Sequence, residues 1–133
     1  MAFLVGALLA SGVGLLGTVS GMERDRAFYP TAAIVVASYY CLFAVMGAST
    51  EVLVRETLIA GAFVAAAVFG FRTSLWVVVI ALAGHGVQDV AHGRILSNPG
   101  VPGWWPAFCL AYDVTAAGYL AWRLTTRRIQ AVP

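Results

Sequence analysis

The chain has 133 residues, of which 61% are hydrophobic and only 11% are charged, and its formal net charge is +2. A soluble domain carries roughly a quarter of charged residues, so this composition excludes a soluble globular domain, a disordered chain and a nucleic-acid-binding protein. With a mean hydropathy of +0.86, the chain is predicted to be an integral membrane protein. Cys41 and Cys109 lie in apolar segments without a CxxC motif, which favours packing roles over a disulfide.

Five stretches are long and apolar enough to be membrane spans, each of which needs about 20 apolar residues. In chain order they are residues 2–20, 31–48, 51–71, 74–93 and 104–123. The joints between them are short, which makes neighbouring helices antiparallel. We therefore predict an all-α, polytopic membrane protein, a single domain over residues 1–133 that forms an antiparallel bundle of about five transmembrane helices.

Small residues recur at helical spacing on two of the spans, and such stripes let helices approach closely. On the first span the stripe consists of Gly6, Ala10, Gly14, Gly17 and Gly21, and on the third of Ala62, Ala66 and Gly70. Both stripes predict helix packing, and a homo-oligomer formed through one of them is left open.

The distribution of arginine predicts the orientation in the membrane. One side of the bundle, formed by the first and third joints and the C-terminus, carries Arg24, Arg26, Arg72, Arg123, Arg127 and Arg128. The other side has only Arg94, and Arg55 lies inside a span. By the positive-inside rule, the N-terminus is expected outside and the C-terminus in the cytoplasm of a multi-pass protein of the cell membrane. With no basic residue before it and two arginines after it, the first span is expected to be a retained anchor and not a cleaved signal peptide.

Ionisable residues inside the spans are the main functional signal, because they are costly in lipid and normally face the bundle interior. They are Arg55, Glu56, His85, Asp89, His92 and Asp113. On the fourth span, His85, Gln88, Asp89 and His92 share one helical face. Counting residues along each span places Asp113 and His85 at the midplane, with Glu56 and Asp89 about one turn farther toward the outer side. We expect one cavity that opens to the outer face under the loop around residues 98–105.

The charges of this group do not balance, since three carboxylates face one arginine, and bare charges are not tolerated in a low dielectric. A protonated carboxyl or a cationic histidine would place an acid beside a base, as proton-transfer catalysis requires. A zinc or iron ion would also balance the charge, although no cofactor is required. Its ligands would come from His85, Asp89, His92 and Asp113. The two histidines lie about 10 Å apart along the helix axis, which makes it awkward for both to bind one ion.

The leading hypothesis is a small membrane-embedded enzyme that acts on a hydrophobic, lipid- or isoprenoid-like substrate by acid–base chemistry. Candidate reactions are double-bond isomerisation, epoxide opening, cyclisation and hydrolysis. Asp89 and Asp113 are predicted to be the acid/base pair, with His85 as proton relay and Glu56 as a second carboxylate. The predicted substrate contacts are Arg55, as an anion partner, with Gln88, His92, Tyr39, Tyr112 and Trp105. The i,i+4 spacing of Glu51 and Arg55 leaves open that these two side chains simply pair with each other.

Two other classes of function use the same residues differently. A proton- or metal-ion-handling carrier would need the acid–histidine chain, although five spans without an inverted repeat fit few transporter plans. A structural or partner-binding membrane subunit would use the small-residue stripes and treat the polar cluster as helix-to-helix hydrogen bonding.

A few helices around buried acids and aromatic residues resemble the emopamil-binding and sterol-isomerase type of membrane protein. The resemblance is one of architecture, and no motif is matched residue by residue. It implies proton-transfer chemistry on a lipid and assigns no site residue.

Overall fold

The structure, a computed structural model, describes residues 1–133 and contains five α-helices. They are α1 (Ala2–Ser20), α2 (Phe28–Gly47), α3 (Thr50–Arg72), α4 (Leu75–Ile95) and α5 (Trp105–Thr125), with a short 3-10 turn at Met22–Arg24. The predicted all-helical fold is confirmed. Each predicted span matches one helix to within three residues at either end.

Four of the helices, α1 to α4, are long and apolar enough to cross a membrane. The fifth, α5, has 21 residues and is as long as the others, but it is less apolar and is not one of these candidate spans. It packs between α1 and α4. The two neighbouring helices therefore cover much of the surface of α5, so fewer of its side chains need to be apolar.

Local signals in the sequence set the helix ends. The side chains of Ser49 and Ser74 accept hydrogen bonds from backbone N–H groups in the first turns of α3 and α4, as N-caps do. Gly21 ends α1 in the left-handed conformation, with φ of 79°. α2 begins at Phe28, before the predicted start. Pro30 then lies in the first turn, where its missing N–H would have no helical partner.

The helices pack in the order α1, α5, α4, α3, α2. At the close α1–α5 contact, a Cβ on Gly6 would collide with the Phe108 carbonyl oxygen. The predicted stripe on α1 is therefore a packing surface, with Gly6, Ala10, Gly14 and Gly17 all buried. On α3 only Gly70 of the predicted stripe is fully buried, and Ala62 is exposed.

The first joint departs from the expectation that consecutive helices pack together. α1 packs mainly on α5, and α2 packs mainly on α3. A cleft therefore separates α1 from α2, with α5 as its floor. The end of the bundle with the α1–α2 joint, the α3–α4 joint and the C-terminus is called the Arg-rich end here. The other end, with the loop 96–104, is called the loop end.

Candidate functional site

Two carboxylates share one histidine in the buried centre of the bundle. His85 Nδ1 on α4 lies 2.7 Å from Asp113 Oδ2 on α5 and 3.7 Å from Asp89 Oδ2, one turn along α4. The exposure of these three residues is between 0% and 4%, which excludes solvent and lipid from the group. The predicted shared height of His85 and Asp113 is confirmed by their contact.

Two further side chains complete this group. Tyr40 on α2 donates a hydrogen bond of 2.6 Å to Asp89 Oδ1. The Cys109 thiol donates to Asp113 Oδ2 at 3.7 Å, from one turn earlier on α5. The five residues Tyr40, His85, Asp89, Cys109 and Asp113 are called the acid–histidine cluster below.

The cluster leaves two buried carboxylate oxygens without a hydrogen-bond partner, Asp89 Oδ2 and Asp113 Oδ1. An unpaired buried acceptor costs about 1–3 kcal/mol, more if it is charged. Native structures rarely keep such atoms unless a water molecule, a proton, an ion or a reacting molecule uses them. The arrangement is therefore suited to binding or moving a cation, with the proton as the smallest candidate.

A second buried group lies next to the cluster, toward the loop end. His92 Nε2 contacts Glu56 Oε1 at 2.8 Å. The Asn98 side-chain amide donates to the same oxygen at 2.8 Å and to the Tyr40 carbonyl at 3.2 Å. We call Glu56, His92 and Asn98 the Glu56 triad. The ring of His92 also stacks on Tyr40 with 4.0 Å between ring centroids, which joins the triad to the cluster.

Four side chains of the cluster could hold a metal ion. The candidate ligand atoms of His85, Asp89, Cys109 and Asp113 all lie within 4.8 Å of one another. The structure differs here from the ligand set predicted from the sequence. His92 contacts Glu56, and Cys109 takes the fourth position. The physical reason is that His92 lies two turns from His85, whereas Cys109 on the neighbouring helix reaches the same point.

The large cavity of the protein is the cleft between α1 and α2, with a volume of about 720 Å³. Thirteen of its 15 lining residues are hydrophobic. From Phe28 to Tyr39 on α2 it extends over twelve residues, an axial rise of about 16 Å. Trp105, Phe108, Cys109 and Tyr112 of α5 line its inner end. Cys109 is the only member of the acid–histidine cluster that also lines this cleft.

The position of this cavity corrects the sequence prediction. We expected a cavity under the loop, open to the outer face and lined by the ionisable residues. The large cavity is instead apolar, and the buried polar residues pack against one another beside it. Under the loop, Asn98 lies against Glu56 and Tyr40. The loop approaches closely because Gly100 has no Cβ, which would collide with the Phe43 carbonyl oxygen.

The predicted substrate contacts fall into three groups. Tyr39, Tyr112 and Trp105 line the cleft. His92 belongs to the Glu56 triad, and half-buried Gln88 has its Oε1 buried without a partner. The expectation that Arg55 faces the same interior is corrected, and the alternative of an i,i+4 pair with Glu51 is confirmed. The Arg55 side chain is 59% exposed and pairs with Glu51 at 2.6 Å, because it lies on the outer face of α3.

Sequence reasoning missed a buried polar network at the Arg-rich end. Glu23 is 3% exposed and pairs with Arg123 on α5. Its Oε2 accepts from Thr18 at 3.0 Å and from Tyr29 at 3.1 Å, and Thr18 also bonds Tyr119 at 2.7 Å. We call these five residues the Glu23 network. No signal in the sequence marked Glu23, because it lies in a joint where charged residues are normally solvated.

Comparisons of the chain with protein-family models, curated proteins and solved structures find no match. The residues of the chain and their geometry are therefore the basis for inferring its function.

Proposed function

We propose that this protein is a membrane-embedded enzyme that performs acid–base chemistry on a hydrophobic, lipid- or isoprenoid-like molecule held in the α1–α2 cleft. One observation carries the proposal. Cys109 lines the apolar cleft and also contacts Asp113, so a substrate-sized cavity and a buried acid–histidine cluster share a wall. A structural network would not need that shared wall.

The acid–histidine cluster supports the chemistry because it contains proton donors and acceptors in hydrogen-bond contact. His85 Nδ1 lies 2.7 Å from Asp113 Oδ2, a hydrogen-bond distance, and 3.7 Å from Asp89 Oδ2, just beyond one, so both carboxylates face the same ring nitrogen. In this proposal protons pass between the substrate and Asp113 through the Cys109 thiol, which lines the cleft and contacts Asp113. His85 relays a proton between Asp113 and Asp89. Tyr40 fixes the orientation of Asp89. The Glu56 triad holds the Tyr40 segment in place.

The reaction class follows from these groups. Double-bond isomerisation and cyclisation add a proton at one carbon and remove a proton from another. Epoxide opening and hydrolysis add a water molecule with the same acid–base assistance. All of these balance without an oxidant or a reductant.

The test uses solvent deuterium, so the substrate need not be known. The protein in nanodiscs is incubated with a lipid extract of its source membranes in D2O. Mass spectrometry then follows deuterium in non-exchangeable C–H positions and addition of water. The wild type is expected to modify one lipid class, and Asp113→Asn to lower that rate about 10²–10⁴-fold, the usual contribution of a positioned acid or base.

The matched control is Glu51→Gln, the same change from carboxylate to amide on an exposed side chain of α3. It is expected to keep the wild-type rate. Wild-type protein that modifies no lipid, or a folded Asp113→Asn variant with the full rate, would overturn the proposal.

A metal-dependent enzyme or carrier is the second candidate, and a specific observation favours it. The four ligand atoms converge within 4.8 Å, and Asp89 Oδ2 and Asp113 Oδ1 lack partners. Nitrogen, oxygen and sulfur donors suit zinc or iron. In that case the ion would act as a Lewis acid in the cluster. If this second candidate is right, elemental analysis will find zinc or iron that is lost in Cys109→Ala and kept in His92→Gln. Folded wild-type protein without metal would exclude this version.

The placement in the cell is part of the proposal. The Arg-rich end carries Arg24, Arg26, Arg72 and the C-terminal arginines, which by the positive-inside rule would face the cytoplasm. The N-terminus would then lie outside the cell membrane. The partners proposed are the hydrophobic substrate and membrane lipids, without nucleic acid. A homo-oligomer would use the largely exposed surface of α3.

A further inference from the structure

The α1–α2 cleft has two different ends. At the Arg-rich end its lining includes Met22, Asp25 and Thr31, next to the joint between the helices. At the inner end it includes Tyr39, Cys109 and Tyr112. Asp25 lies in the joint and its carboxylate accepts from the Ala27 backbone N–H, so the first end is at the polar boundary of the helices.

The length of the cleft matches half of a bilayer. From Phe28 to Tyr39 the axis of α2 advances about 16 Å, and the hydrocarbon core of a bilayer is about 30 Å thick. The cleft therefore reaches from the polar boundary at the Arg-rich end to the neighbourhood of the midplane. Beyond that depth, the contacting rings of Trp105, Phe108, Tyr39 and Phe43 close the inner end.

The walls of the cleft favour binding of a hydrocarbon chain over binding of a polar head group. Its lining is almost entirely hydrophobic along its length, and burying a polar head among such walls without a hydrogen bond is costly. Because α1 and α2 both belong to the candidate spans, the open side between them faces lipid. A lipid in the leaflet at the Arg-rich end can therefore slide its chain in sideways while its head stays at the boundary.

From these observations we infer that the substrate is a single-chain or isoprenoid lipid bound with its head group at the Arg-rich end, and that the carbon presented to Cys109 and the acid–histidine cluster lies deep in the chain, far from the head. This inference rests on the proposed function and specifies its substrate class. It implies chemistry at an internal double bond, an epoxide or a chain end. It excludes chemistry at the head group.

The test maps the orientation of bound lipid without measuring activity. Two amphiphiles of equal length, with the same neutral head group, carry a photoactivatable diazirine either near the head or near the chain end. Each is added to the full chain in nanodiscs and irradiated, and the labelled residues are identified by mass spectrometry. The chain-end probe is expected to label Tyr39, Cys109 and Tyr112, and the head-proximal probe to label Met22, Asp25 and Phe28.

A cleft-filling variant separates specific labelling from contact with bulk lipid. Ala32 is half-buried and lines the cleft, so Ala32→Trp is expected to reduce labelling of both sets of residues at least fivefold. Ala65→Trp, on the exposed surface of α3 outside the cleft, is the matched control and is expected to leave labelling unchanged. Should Ala32→Trp not fold, Val35→Trp at the exposed rim of the cleft replaces it.

The outcomes distinguish this inference from the proposed function. Head-proximal labelling at Tyr39 and Cys109, lost in Ala32→Trp, would overturn the orientation but leave a lipid enzyme with a reversed substrate. Labelling that neither cleft variant reduces would overturn the cleft as a chain site. The deuterium experiment with Asp113→Asn would still decide separately whether the cluster performs chemistry.

Discussion

The Glu23 network and the acid–histidine cluster are both buried, both polar and both span several helices, but they differ in how completely their carboxylates are paired. Each oxygen of Glu23 accepts at least one hydrogen bond, from Arg123, Thr18 or Tyr29. In the cluster, Asp89 and Asp113 each keep one oxygen without a partner. A paired carboxylate holds helices together. An unpaired buried oxygen lowers stability unless a water molecule, a proton or an ion uses it, and Glu56 Oε2 beside the cluster is unpaired as well.

The residues that pair with the carboxylates also differ between the two regions. Glu23 has an arginine, which is permanently charged, as its partner. The two aspartates of the cluster share a histidine, the side chain whose charge changes most readily near neutral pH. The first arrangement pairs a carboxylate with a fixed positive charge, whereas in the second a histidine and two carboxyl groups can share protons in more than one way.

Removing the charge of Glu23 gives the largest expected effect on stability. Glu23→Gln keeps the shape but leaves Arg123 without its buried partner, which typically costs about 3–5 kcal/mol. We expect a loss of that size in the free energy of unfolding, measured in detergent micelles by denaturant titration. A loss similar to that of the exposed control Glu51→Gln would show that the network does not hold α5 to the joint between α1 and α2.

The Glu56 triad is expected to be intermediate. Asn98→Ala removes the donors to Glu56 and to the Tyr40 carbonyl and the acceptor for the Gly100 N–H. Losing these hydrogen bonds should cost about 2 kcal/mol. We expect the loop 96–104 to loosen, which hydrogen exchange of its backbone amides would detect alongside the unfolding measurement. Unchanged protection in this loop would argue that Asn98 is not its anchor.

In the cluster, the same kind of substitution is expected to cost little. Asp89→Asn replaces Oδ2, which has no hydrogen-bond partner, while Tyr40 can still donate to the remaining oxygen. No hydrogen-bonded group loses its partner, so we expect the free energy of unfolding to change by less than about 1 kcal/mol. A loss as large as that of Glu23→Gln would mean that the cluster is a structural network, and the comparison between the two regions would fail.

The sequence predicted the helices and the central contact well, for identifiable physical reasons. Runs of about 20 apolar residues define spans almost directly. His85 and Asp113 both lie in the middle of their spans, where an ionisable side chain must face protein, so their contact follows from depth alone. Cys109 was visible as a residue one turn from Asp113, but a cysteine in an apolar helix is more often a packing residue.

Other features depend on packing that spacing does not reveal. On α3 only Glu56, Ala67 and Gly70 are buried. Apolar residues occur on every side of this helix, so its sequence pattern does not show whether Arg55 lies on the inner or the outer face. Glu23 lies in a joint, where burial requires the neighbouring helices to close over it. The cleft exists because α1 packs on α5 rather than on α2. The short joint between α1 and α2 predicts that they are antiparallel, but it does not predict which helix α1 contacts.

Arg55 provides the smallest expected effect and marks the boundary of the buried groups. Its pair with Glu51 has i,i+4 spacing, and both side chains are more than half exposed. Such pairs contribute about 0.3–0.5 kcal/mol, so Arg55→Gln should change the free energy of unfolding by no more than that. A loss above 2 kcal/mol would mean that Arg55 is covered in the membrane, as it would be if the exposed surface of α3 packed against a second copy of the chain. Cross-linking of the wild type across α3 would then identify that contact.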